Sequence, residues 1–195
     1  MTAAKGGFNN GSTIMNLATL KSPSISQTAL TKIDLPGLMH HIGATQEGDA
    51  ANNAFVETAG NDVMYGHGGD DRFNLDGGSD KAFGGSGDDY FNLWNGNLLA
   101  SGGAGSDTIV GRGTGDYTMT GGAGADRFAL SDSFHGNATI TDFNGAAGDR
   151  LAINKPLESW AYDPAHATIT YGLSDGSTVI VHGADQNIEG YVDFF

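Results

Sequence analysis

The chain has 195 residues, enough for one or two small domains with a core of their own, and 32 of them are glycine, well above the roughly 7% of ordinary proteins. Its 23 acidic residues against 9 basic ones give a net charge of −14, which argues against nucleic acid and anionic membrane surfaces as partners, since both require a positive patch, and favours cations. Cysteine is absent, which rules out disulfides and thiolate metal sites, and no stretch approaches the ~20 apolar residues of a membrane-inserted helix.

Residues 1–56 read as an N-terminal extended or β segment without an assignable role. The opening MTAAKGGFNNGSTIMNLATLK lacks the apolar run of roughly 7 to 15 residues that a cleavable signal peptide needs. Ser12–Leu20 and Ala29–Leu35 fit strands or extended arms. His40 and His41 are no metal site in an extended chain, because adjacent side chains point to opposite faces and no third ligand is near in sequence. The initiator Met1 favours a complete chain over an excised module.

From Glu57 the sequence becomes periodic. Asp62, Asp71, Asp80, Asp89, Asp107 and Asp116 fall on one nine-residue lattice, Asp126 comes one residue late, and Leu98 alone breaks the series. The best copies are GGSGDDYFN from Gly84, GGAGSDTIV from Gly102 and GGAGADRFA from Gly121. A flexible linker would not keep an aspartate and a large apolar residue in step over eight copies. Glycine admits the left-handed conformations that turn carbonyls inward, and aspartate adds charge on a short arm. That is the donor set of Ca²⁺, a hard cation that takes about 6 to 8 oxygens.

The repeat resembles the RTX (repeats-in-toxin) family, whose consensus is G-G-x-G-x-D-x-U-x. The resemblance implies an all-β fold, a parallel β-roll, over residues 57–130. Each repeat then supplies a six-residue turn and a short strand, two repeats complete one coil, and Ca²⁺ lies between neighbouring turns of one edge. Sixth-position aspartates and loop carbonyls hold it.

Two repeats per coil sort the turns into two columns. The consensus column holds GHGGDD (Gly66), GGSGDD (Gly84), GGAGSD (Gly102) and GGAGAD (Gly121). Its candidate ligands are Asp71, Asp89, Asp107 and Asp126, with Gly66, Gly68, Asp70, Gly84, Ser86, Asp88, Gly102, Ala104, Ser106, Gly121 and Ala123 from the turns, and its three gaps predict one ion each. The divergent column holds ETAGND (Glu57), LDGGSD (Leu75), LWNGNL (Leu93) and GRGTGD (Gly111). Leu98 offers no side-chain oxygen, so only the gap between Asp62 and Asp80 is usable, and the expected total is about four ions.

The strands repeat the asymmetry. Inward positions are Phe73, Phe91, Ile109 and Phe128 after the consensus turns, and Met64, Ala82, Ala100 and Thr118 after the divergent ones. Outward positions beside the latter are Val63, Tyr65, Lys81, Phe83, Leu99, Ser101, Tyr117 and Met119, six of them apolar or aromatic. Such a face calls for cover, by the chain's own head or tail or by another subunit in a homo-oligomer or filament.

Residues 131–195 read as a C-terminal β cap. FALSDSFHGNATITDFNGAAGDRLAI is similar to the region that follows the repeats in serralysin C-terminal domains and alginate epimerase modules, and a cap protects the open end of a roll. Asp142 and Asp149 either add a ligand or are surface-solvated, the latter being the plainer reading. Ala167–Tyr171 and Thr178–Val181 around Asp175 and Gly176 predict a β-hairpin. The final GYVDFF resembles the uncleaved signal of substrates of type I (ABC-transporter) secretion.

The resulting expectation is a secreted or extracellular protein, with the cell surface as one location open to it. Stacked aspartates keep it loose in a Ca²⁺-poor cytosol, and Ca²⁺ outside folds it. No H-E-x-x-H or G-x-S-x-G is present, so catalysis by the chain is not expected. Two roles remain open: a structural protein assembling into an extracellular layer, filament or biofilm matrix, and a folding and export module of an RTX enzyme such as a serralysin-like protease, lipase or alginate epimerase.

Overall fold

A computed structural model describes residues 43–58, 60–184 and 188–194. His40, His41 and the Ser12–Leu20 and Ala29–Leu35 segments lie outside the described residues. Among the described residues sixteen strands follow one another: β1 Thr45–Glu47, β2 Ala54–Val56, β3 Val63–Gly68, β4 Arg72–Leu75, β5 Lys81–Ser86, β6 Tyr90–Leu93, β7 Gly96–Ala104, β8 Thr108–Gly111, β9 Thr114–Ala123, β10 Arg127–Leu130, β11 His135–Ile140, β12 Arg150–Ile153, β13 Leu157–Asp163, β14 Thr168–Leu173, β15 Thr178–His182 and β16 Val192–Phe194. A short 3₁₀ turn, Ile188–Tyr191, precedes β16.

From β1 to β12 the strands alternate between two sheets, which is the parallel β-roll. One sheet has the order β1-β3-β5-β7-β9-β11-β15-β14-β13 and the other β16-β12-β10-β8-β6-β4-β2. The coil extends past both ends of 57–130. One further coil, β1 and β2, precedes Glu57, and β11, β12, β15 and β16 continue the parallel ladders after Leu130. The predicted hairpin is β14 with β15, closed by Gly176 N–H donating to Leu173 O.

Period-2 alternation in the strands fills the interior between the sheets. Phe55, Phe73 and Phe91 stack nearly parallel at 4.6 and 4.7 Å, about one strand spacing, and face Met64, Ala82 and Ala100. Leu75, Leu93 and Leu130 make a second buried column, interrupted by Gly111.

The register corrects one sequence expectation. Strand β5 pairs with β7 at an offset of 18 residues (Ala82 with Ala100), but β7 pairs with β9 at 19, so Ala100 faces Met119 and Leu98 faces Tyr117. The extra residue lies in the divergent turn after Gly111, ahead of Tyr117. Met119 and Tyr117 are therefore buried, at 0% and 1% exposure, and Thr118 points outward. The cause is steric. A Cβ at Gly111 would press on Leu130, Met119 and Tyr117, so glycine in the leucine column makes room for the tyrosine ring. The outward apolar face is thereby reduced to Val63, Tyr65, Phe83 and Leu99, all half-buried, with Tyr65 and Phe83 stacked at 5.2 Å.

Candidate calcium-binding edge

The consensus turns are shaped by glycines at their second and fourth positions. Gly85, Gly87, Gly103, Gly105, Gly122 and Gly124 have φ between +104° and +143°, where a side chain is strained. His67 occupies the second position of the first consensus turn at φ 72°.

The sixth-position aspartates form a ladder. Oδ1 of Asp89 accepts the amide of Asp71 (2.8 Å), Asp107 that of Asp89 (2.8 Å), and Asp126 that of Asp107 (2.9 Å). All are at most 2% exposed. The other oxygen, Oδ2, of Asp71, Asp89, Asp107 and Asp126 is buried with no hydrogen-bond partner. Among the described residues no lysine, arginine or histidine forms an ion pair with these carboxylates. An uncompensated buried carboxylate is costly. Burial, reinforced by neighbouring carboxylates, pushes Asp89 up to about 6 and Asp107 up to about 7, and raises Asp71 and Asp126.

The first-position glycines border the same space. A Cβ on Gly66, Gly84, Gly102 or Gly121 would strike the Oδ2 of Asp71, Asp89, Asp107 or Asp126 respectively. At Gly66 and Gly84 it would also strike the carbonyl oxygen of Gly84 and Gly102 in the next coil. Each turn thus holds a small oxygen-lined cradle, kept open by the missing side chain, and these residues fit a hard divalent cation. Among the described residues no three acidic or histidine side chains converge on one point, because each coil contributes one aspartate; backbone carbonyls must complete any coordination shell.

The remaining candidates divide. Asp70 and Asp88 build an outer, exposed ladder in which Asp70 Oδ1 accepts the amide of Asp88 and Asp88 Oδ1 that of Ser106. The third-position carbonyls of Ala104 and Ala123 accept the amides of Gly87 and Gly105, while Gly68 and Ser86 pair across β3 and β5.

On the divergent edge Asp80 repeats the pattern, with Oδ1 accepting the Asp62 amide (2.8 Å) and Oδ2 unpartnered. Asp62 is instead saturated by the amides of Ala44 (2.6 Å) and Thr58 (2.5 Å) and by the Thr58 hydroxyl (2.8 Å). Beyond Asp80 the column turns apolar: Leu98, Tyr117 and Ala138 align and are buried. The Tyr117 hydroxyl reaches the carbonyl oxygens of Arg112 and Trp94, so a phenol satisfies turn oxygens there. Asp116, moved off the lattice by the register, is exposed and bonded to Asn137.

Three contributors escaped the sequence pattern. Asn53 stands in the ladder one coil before Asp71, with its amide donating to Asp71 Oδ1 (2.7 Å), in a turn, GDAANN, that keeps only the first glycine. Asp149, read above as surface-solvated, is 3% exposed and accepts the amides of Asp126 (2.9 Å) and Asn144 (2.7 Å), closing the ladder at its other end. Asp142 accepts the amides of Gly121 and Gly122. The likeness of NGAAGD to GGAGAD was the available signal.

A family model described as the RTX calcium-binding nonapeptide repeat matches in four copies, over residues 48–82, 76–97 and 101–138, a little under half of the chain. No curated protein matches. Among solved structures, the extracellular lipase LipA from Serratia marcescens is similar at 16% identity and a TM-score of 0.33, covering 77% of this chain and 38% of the lipase chain. This chain thus spans well under half of that protein's length. The family match covers the consensus turns and their buried aspartate ladder, so the repeat segment of this chain is similar to the RTX calcium-binding nonapeptide repeat.

Proposed function

We propose that the chain is a secreted calcium-binding protein whose roll folds when Ca²⁺ fills the consensus edge. The row of buried, unpartnered Oδ2 atoms on Asp71, Asp89, Asp107 and Asp126 carries this reading. About four ions fit it: one in each gap between the turns at Gly66, Gly84, Gly102 and Gly121, and one at Asp80. Bound Ca²⁺ supplies the positive charge that these carboxylates lack.

The chain's own residues do the rest. The ladder amides orient each carboxylate, first-position glycines keep the cradles open, and the phenylalanine stack holds successive turns one strand spacing apart. Without cations, mutual repulsion of the ladder opposes coiling, so binding free energy becomes folding free energy. Extracellular location and type I export accord with the RTX family. In this reading the roll carries the ions and the C-terminal strands cap it.

The finer role we propose is structural, in an extracellular layer, filament or matrix. It is supported by the far end of the roll, where β13 and β14 overhang the second sheet and leave a groove of about 300 Å³ with Leu157, Trp160 and Phe194 exposed. The alternative is a folding and export module of an RTX enzyme.

The test is a Ca²⁺ titration followed together by circular dichroism and particle size. Cooperative gain of β structure with Ca²⁺ is expected, and full β structure in excess chelator would overturn coupled folding. Strict monomers in millimolar Ca²⁺ at high concentration would leave the module reading in place of assembly.

A further inference from the structure

Glu57 occupies an interior column that belongs to leucine. Strand β2 pairs with β4 in the register Val56 with Asn74, which sets Glu57 beside Leu75, and the column continues through Leu93 and Leu130, all three at most 2% exposed. A carboxylate at the head of an apolar column needs a partner. Its Oε2 accepts the amide of Asp76 at 2.5 Å. Its carboxyl group also lies within hydrogen-bonding range of the Asp80 carboxyl group.

Asp80 is 1% exposed, its Oδ1 is committed to the Asp62 amide, and its Oδ2 has no donor. The buried Asp80 carboxylate therefore faces the half-buried Glu57 carboxylate, and when both are ionised neither offers the other a donor. Among the described residues no ion pair joins either of them to a basic side chain. Facing carboxylates of this kind share a proton, are held together by a cation, or are driven apart, and a bound cation displaces the proton. The consensus edge has no equivalent, because glycine stands at the first position of each of its turns.

We propose that Glu57 is a calcium ligand, and that with Asp80 it forms a two-carboxylate site at the first divergent turn, distinct in composition from the glycine-lined cradles of the opposite edge. The inference rests on the calcium-binding reading above. The site ties the turn after β2 to the turn after β4, clamping the first coil to the second, and its extra charge makes it the tighter of the two kinds. It also explains the glutamate: the column position that packs as leucine elsewhere is used here for coordination.

The experiment is isothermal titration of the full chain with CaCl₂ at neutral pH, comparing wild type with Glu57→Leu, Glu57→Gln and Asp107→Ala. Glu57→Leu restores the leucine column and Glu57→Gln keeps the shape without the charge. Both are expected to lose one bound Ca²⁺, or to weaken one by at least about tenfold, while the other ions titrate unchanged. Should Glu57→Leu fail to fold, Glu57→Gln decides. Unchanged stoichiometry and affinity in the Glu57 variants, with a loss in Asp107→Ala, would overturn the assignment of Glu57 alone. No Ca²⁺ uptake by wild type would overturn the underlying reading as well.

Discussion

The two edges of the roll share one period and close their turns by different means. On the consensus edge four buried aspartates each keep an oxygen without a partner, and the cradles beside them are open. On the divergent edge Asp62 is saturated by hydrogen bonds, Leu98 and Tyr117 fill the space, and the phenol hydroxyl lies against two turn carbonyls, sharing its one proton between them. A turn stack can thus be stabilised by coordination or by packing. The first depends on the medium, whereas the second is always present.

Four substitutions and conditions test that difference. Tyr117→Ala has the largest expected effect, a loss of about 3 to 5 kcal/mol from the cavity and the stranded carbonyls, equal in size at saturating Ca²⁺ and at the lower Ca²⁺ concentrations that still fold the roll, when followed by denaturant unfolding. Dependence of that loss on Ca²⁺ would blur the two mechanisms. Asp89→Ala borders two cradles, and at Ca²⁺ ten times Kd two sites together contribute about 3 kcal/mol, so its cost is expected only when Ca²⁺ is present. A cost that does not rise with Ca²⁺ concentration would mark Asp89 as a packing residue.

Acidity offers a third probe. Asp89 and Asp107 are raised to about 6 and 7 in the fold, chiefly by burial, so the folded chain without Ca²⁺ holds protons that the unfolded chain releases. Protonation should therefore partly stand in for Ca²⁺: in chelator the chain should gain β structure as pH falls from about 7 towards the ordinary carboxylate range, and the stabilisation conferred by Ca²⁺ should shrink over the same window. Circular dichroism at pH 8 and pH 5 in chelator, and thermal melts at the same two pH values in Ca²⁺, measure both. Asp116→Ala has the smallest expected effect, within about 0.5 kcal/mol, because its carboxylate is exposed and bonded only to Asn137.

The β-roll and the consensus ladder were legible in the sequence because aspartate and glycine recur there at fixed spacing, and few other residues can serve in those turns. The divergent edge was harder. Asp116 sits on the nine-residue lattice and masks the extra residue; what sets the register is the ring of Tyr117 under Gly111, a contact between side chains that no spacing reveals. The first coil was hidden because Asn53 replaces the aspartate and the turn keeps one glycine. Asp149 was hidden by a longer turn, since its bond to Asp126 spans 23 residues where its predecessors span 18 or 19. Length variation and substitution by shape erase a motif without disturbing the ladder.

The extra residue in the turn between Gly111 and Tyr117 has a practical meaning. The turns at Gly66, Gly84, Gly102 and Gly121 each reach their aspartate in six residues, whereas the divergent side stretches to seven here and to nine between Leu130 and Ala138. Chain length is constrained where oxygens must converge and free where a ring fills the gap. A peptide spliced in after Gly111 or near Ser131–Ser133 would project from the tolerant side, so the molecule comes with its own grafting positions away from the four six-residue turns of the aspartate ladder.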